Sequence, residues 1–140
     1  MRILVDTNVI LDLLLDREPF STQAGILISQ IEKGKLTGLL CATTITTIYY
    51  LITKSLSKRE ADKSLDLLFS LFEIAPVNRI VLETAKNLKF KDFEDAVIYS
   101  SAIHSNVDVV ITRNIRDFKM NEIPIYEPVE FLKILKIKEL

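Results

Sequence analysis

Cysteine and histidine are almost absent from this sequence, which has one of each, Cys41 and His104. A lone cysteine excludes an intramolecular disulfide and fits a reducing compartment. In "LTGLLCAT" it reads as a small buried hydrophobe. So few sulfur and imidazole ligands exclude a zinc site built from them. No Ser-His-Asp or Cys-His arrangement competes either, since His104 falls on the polar side of its helix. Glycine and proline are scarce, at three and four residues, and leave no linker, low-complexity tract or internal repeat. A net charge of −1 argues against a broad basic face gripping nucleic acid, so any such contact must be local. Long apolar runs are missing as well. Blocks such as "VILDLLL" are cut by charge, and "MRILVDTNV" lacks the apolar stretch of a signal peptide. The expectation is a cytoplasmic chain with no membrane partner.

What is present is a chain of 140 residues, 49% hydrophobic, enough for one domain spanning residues 1–140 with a proper core. Strand-like and helical runs alternate. "ILV" reads as a buried strand, followed by a helix from Thr7 to Asp16 and another over 20–33. "LTGLLCA" reads as a strand. "TTITTIYYLITKSL" is rich in strand-favouring residues, yet Ile45, Ile48, Tyr49 and Ile52 recur at helical spacing, and a helix is expected. "SKREADKSLDLLFSLF" opens on a capping box of Ser57 and Glu60. Strand "EIAPV", helices "NRIVLETAKNLK" and "DFEDAVIYSSAIHS", strand "VDVVIT", edge strand "IPIYEP" and a helix with Pro128 in its first turn complete the series. Strands separated by helices imply an α/β fold, a three-layer α/β/α sandwich around a short central parallel sheet.

In such sheets ligands bind beyond the carboxyl ends of the strands. There the sequence places Asp6 after "ILV", and Thr112, Arg113, Asn114 and Asp117 after "VVI". The helix "DFEDAVIYSSAIHS" adds a further acid. Asp92 and Glu94 suit the positive end of the helix dipole, and Glu94 shares a side with Ser101 and Ser105, read as the solvent face. Asp95 falls among Ile98, Tyr99 and Ala102, where a carboxylate is costly without a partner. If Asp6, Asp95 and Asp117 share one end of the sheet, like charges ~4 Å apart at an effective dielectric of ~20 repel by roughly 4 kcal/mol. That is a large share of a domain's stability of about 5–15 kcal/mol. Protonation or a cation must relieve it. Oxygen-only ligands suit Mg²⁺ or Mn²⁺, and a carboxylate-held ion of that kind suits phosphodiester hydrolysis.

Three segments, "LVDTNVILDLLLDREPF", "DFEDAVIYSSA" and "DVVITRNIRDF", resemble the PIN domain family in order and spacing, from Ile3 to about Phe131. The resemblance implies a metal-dependent endoribonuclease, many relatives being toxins of toxin–antitoxin pairs. It implies an RNA substrate, a homodimer and a small antitoxin partner. Asp6 and Asp95 match family acids, which would make them, with Asp117, both metal ligands and catalytic residues. Asn114 falls where many relatives have an aspartate. Thr7, Asn8 and Thr112 match hydroxyl and amide positions that orient carboxylates or waters. One position departs. The usual acid on the helix after the second strand falls at Thr47, and no Asp or Glu lies between Glu32 and Glu60.

That departure motivates a second reading, a degenerate scaffold that binds RNA or antitoxin with little or no turnover, with Thr47 reaching an ion through water in the first reading only. A phospho-acceptor signalling domain also gathers acids at strand ends, but these acids are too scattered and no lysine ends a late strand. Plainer roles stand beside the sharp ones. Asp6 suits a helix N-cap, Asp95 a salt bridge, and Asp117 a turn bonded to its own backbone. Asp12 reads as solvated or ion-paired, and Tyr49 and Tyr50 as core and interface filling. Arg113, Arg116 and Lys119 are candidates for RNA phosphate contacts and equally for solvated loop residues.

Overall fold

Strand β1 (Arg2–Val5) is the shortest route to the architecture, because its residues point alternately into two different cores. Ile3 and Val5 pack on one side of the sheet and Leu4 on the other. In the computed structural model, which describes residues 1–118 and 122–138, five strands form one parallel sheet. They are β1, β2 (Thr37–Cys41), β3 (Phe72–Ala75), β4 (Val109–Ile111) and β5 (Ile125–Tyr126), in the spatial order β3-β2-β1-β4-β5. Strands buried on both faces read as continuous apolar runs, as "ILV" and "VVI" do.

On one face lie α1 (Thr7–Leu14), α2 (Ser21–Glu32), α3 (Ala42–Ser55), α4 (Lys58–Leu71) and α7 (Pro128–Lys138), around Ile10, Leu27, Ile48, Leu68 and Phe131. On the other lie α5 (Arg79–Leu88) and α6 (Phe93–His104), which bury Val81, Val97, Ile98 and Tyr99 against Leu4, Leu39 and Val110. The expected three layers are therefore present. The threonine-rich segment is helical, as its spacing predicted. Ser57 caps α4 by accepting from the Glu60 N–H at 3.1 Å. Cys41 is fully buried.

Three boundaries differ from the sequence reading. Helix α1 stops at Leu14, and Asp16 has a left-handed backbone, φ 48°, that cannot continue it. Strand β3 starts at Phe72 and ends before Pro76, which has no N–H to give to a ladder. Strand β5 is only Ile125–Tyr126, at the sheet edge as expected. Among the described residues no helix is long and apolar enough to cross a membrane.

The chain steps from β1 outward to β2 and β3, then returns to lay β4 against the other side of β1. The connections diverge between β1 and β4, and that divergence opens a crevice at their carboxyl ends.

Candidate metal centre

The backbone joins the two strand ends directly. The Asp6 N–H donates to the Ile111 carbonyl at 2.9 Å, which puts Asp6 beside Thr112. Asp6 is 4% exposed, and both of its oxygens are engaged. Oδ1 accepts from the Thr7 N–H at 2.8 Å, and Oδ2 accepts from the Thr112 hydroxyl at 2.7 Å. Asp6 thus fills the N-cap position of α1 and faces the crevice as well.

Thr112 is the hub of this arrangement. Its single hydroxyl proton goes to Asp6, and its lone pairs accept from the Asn114 N–H at 3.0 Å and from Asn8 Nδ2 at 3.5 Å. Thr7 shares a hydroxyl–hydroxyl hydrogen bond of 2.9 Å with buried Thr44 of α3. These short-range contacts fix the carboxylate's direction before any ligand arrives.

Asp95 comes from the first turn of α6. Asp92 caps that helix, its Oδ1 accepting from the Glu94 N–H at 2.8 Å and from the Asp95 N–H at 3.3 Å. A notch of about 270 Å³ collects Asp6, Thr7, Asn8, Glu94, Asp95 and Asn114, with Leu11, Ile98, Arg17 and Arg113 completing its wall.

Electrostatics tie these acids together. Burial, followed by the neighbouring charges of Asp6, Asp92, Asp117 and Glu94, pushes the Asp95 carboxyl up to about 7. Burial also pushes Asp6 up, against the opposing hydrogen bonds from Thr112 and Thr7, with Glu94 and Asp117 adding repulsion. Asp117, on a 3-10 turn (Ile115–Asp117), is exposed yet close enough for buried Asp6 and half-buried Asp95 to feel its charge.

Ser101 is the main correction. The sequence reading set it on a solvent face with Glu94, and Glu94 is exposed as expected, but residues 96–102 of α6 are all buried, and the Ser101 hydroxyl donates to the Ile98 carbonyl at 2.7 Å. The helix has no plain solvent stripe to define that face. Its first turn lies at the crevice, so Glu94 joins Asp6 and Asp95 in lining it. The Thr47 hydroxyl lies 3.4 Å from Glu94 Oε1 and donates to it. The position that lacks an acid thus lies within hydrogen-bond reach of one carried by α6.

The remaining candidates separate. Asn114 lines the notch. Arg113 also lines it, with its guanidinium on Asp12. Arg116 is exposed on the 3-10 turn, and Lys119 lies outside the described residues. Asp12 is ion-paired, and it is buried rather than solvated. Arg17 is a notch residue that sequence reasoning missed, because it lies past the end of α1, where no helical spacing predicts its direction. Tyr50 is exposed, with the Lys54 ammonium 5.9 Å from its ring centre.

A divalent ion of the Mg²⁺ type keeps several waters and binds through one or two carboxylates, so an open, oxygen-only notch suits it. Among the described residues no three His, Cys, Asp or Glu side chains converge closely enough to form a finished cage. The donor set fits an ion held by Asp6 and Asp95 with Glu94 and Asp117 near at hand.

Comparisons with known proteins agree with this fold. Ribonuclease VapC1 of Aquifex aeolicus (strain VF5) is 28% identical over 138 residues, 93% of this chain and 92% of that protein. VapBC-1 from nontypeable Haemophilus influenzae shares the fold with a TM-score of 0.69 at 16% identity, over 92% of this chain and 99% of that one. A toxin–antitoxin complex from Klebsiella pneumoniae does so with a TM-score of 0.67 at 24% identity, over 90% and 97%. The PIN domain family model matches residues 2–116, a span that holds Asp6 at the end of β1 and Asp95 on α6, and the chain belongs to that family.

Proposed function

We propose that this chain is a Mg²⁺- or Mn²⁺-dependent endoribonuclease that hydrolyses RNA phosphodiester bonds, and that it is the toxin of a toxin–antitoxin pair. The observation that carries this reading is the pairing of Asp6 and Asp95 in one notch, where the Asp6 charge raises the cost of ionising Asp95. A relative named as a ribonuclease and a neighbour solved as a toxin–antitoxin complex support it.

Asp6 and Asp95 would hold the ion, with Asp117 as the third carboxylate. When bound, the ion supplies an activated water and neutralises charge developing on the phosphate. Thr112 keeps Asp6 Oδ2 directed into the notch, Asn8 supports Thr112, and the Asp92 cap fixes the turn that carries Asp95. Thr7 braces the head of α1 against Thr44. Asn114 stands at the notch wall, able to donate to or accept from a substrate oxygen. A homodimer, a small antitoxin covering the notch and a cytoplasmic location belong to the same reading.

The test is cleavage of a mixed single-stranded RNA pool with Mn²⁺, with Mg²⁺ and with chelator, beside Asp95→Asn. Metal-dependent cleavage that the variant loses is expected. Equal cleavage by the variant would refute the assignment.

Thr47 keeps a second reading in view, a scaffold that binds RNA or antitoxin without turnover. Binding without cleavage in either metal would favour it.

A further inference from the structure

Asp12 is a buried acid that the metal centre does not use. It lies in α1, 1% exposed, and holds two arginines at once. Arg17 Nε donates to Oδ1 at 2.9 Å, while Arg113 donates through Nε to Oδ2 at 2.6 Å and through Nη2 to Oδ1 at 3.1 Å. Two guanidiniums on one carboxylate leave a surplus positive charge. A merely structural pair would need only one.

Both arginines line the same notch as Asp6 and Asp95, with side chains 40% and 27% exposed for Arg17 and Arg113. Each is held from behind. Arg17 Nη2 also donates to the Asn8 carbonyl at 3.1 Å, and the Arg113 guanidinium lies 4.0 Å from the centre of the Phe20 ring. Among the described residues, Nη1 of each has no hydrogen-bond partner. A guanidinium anchored along one edge keeps its other donors, in fixed directions, for a second anion. The acidic notch alone would repel a phosphodiester chain, and a net charge of −1 offers no long-range attraction. Local cations must supply the grip.

We propose that Asp12 is a positioning residue that presents Arg17 and Arg113 as a paired clamp for the phosphate backbone of RNA at the edge of the metal centre. The proposal rests on the RNA-directed reading above. It adds Arg17 as a binding residue and gives Asp12 a role through both arginines.

The experiment measures binding of a short fluorescein-labelled single-stranded RNA by anisotropy over a salt series, in chelator, with all proteins in the Asp95→Asn background so that cleavage does not intervene. Arg17→Gln should weaken binding about fivefold and lower the slope of log affinity against log salt by about 0.7, the loss of one phosphate contact to a single strand. Arg17→Lys should recover part of the affinity. In an Asp12→Asn background, where Arg17 loses its charged partner and keeps only the Asn8 carbonyl as a firm anchor, the Arg17→Gln loss should shrink to less than about twofold. A bracing role alone would change thermal stability in Asp12→Asn and leave the two effects on binding independent.

Unchanged affinity and slope in Arg17→Gln, or independent effects of the two substitutions, would overturn the clamp. Should Asp12→Asn fail to fold, Arg17→Gln, at a half-exposed side chain, decides the matter alone. RNA bound through Arg17 by a chain whose native form never cleaves would instead sink the nuclease reading and leave the clamp standing.

Discussion

The Thr112 hydroxyl donates to Asp6 Oδ2 at 2.7 Å and so ties the end of β4 to the end of β1 through a buried charge-assisted hydrogen bond. Valine has nearly the same shape as threonine and no donor. Thr112→Val should therefore lower stability by about 1.5–3 kcal/mol, the usual worth of a hydrogen bond to a charged group. Urea unfolding at neutral pH checks this, and a loss under about 0.5 kcal/mol would mean that water replaces the hydroxyl.

Asp95 makes the metal-free protein pH-sensitive. Its carboxyl ionises near 3.8 in an unfolded chain and is raised to about 7 in the fold, first by burial and then by Asp6 and Asp92. Between those values the folded state binds more protons than the unfolded one, so stability falls as pH rises from about 4 to about 7. Discounted for the side chain's partial exposure, the loss is about 1–2 kcal/mol. Thermal melts in chelator should show it, Asp95→Asn should flatten it, and saturating Mg²⁺ should reduce it by favouring the ionised form. A flat profile for the unsubstituted chain in chelator would contradict this account.

Thr47→Asp would return a carboxylate to α3 opposite Glu94. Without metal it should destabilise the fold by about 1 kcal/mol through added like charge. With Mn²⁺ it should bind the ion about tenfold more tightly, since affinity at oxygen sites follows the number of charged ligands. Calorimetric titration distinguishes this from unchanged affinity, the outcome expected if Glu94 already fills that place.

Gly38, in β2, packs where no side chain fits. A Cβ there would lie 2.6 Å from Ile31 Cδ1 and 2.8 Å from Phe72 Cδ1. Gly38→Ala should cost about 1–3 kcal/mol by overpacking, read as a lower urea midpoint with the slope unchanged.

The layers, the helical nature of α3 and the placement of Asp6 and Asp95 were legible because each follows from local pattern: apolar runs, spacing of three and four, an acid at a strand end. Glu94 is exposed as expected, but the Ser101 assignment failed because α6 buries residues 96–102 all round, so helical spacing had no continuous solvent face to follow. The Asp12–Arg113 pair spans 101 positions, and no periodicity links residues so far apart. Arg17 follows a turn that contains a left-handed Asp16, so its direction depends on backbone angles that propensity does not supply.

Strand β1 is the middle of the sheet and is made before the strands that flank it. Its neighbour β2 follows within a few dozen residues, but β4, which closes the other side and leads into Thr112, starts only at Val109, long after β1 ends at Val5. Until then Asp6 has no Thr112 to direct it, and Arg113 has not reached Asp12. The acidic notch and its flanking arginines are therefore withheld from the nascent chain and assembled late in synthesis, a timing set by strand order alone.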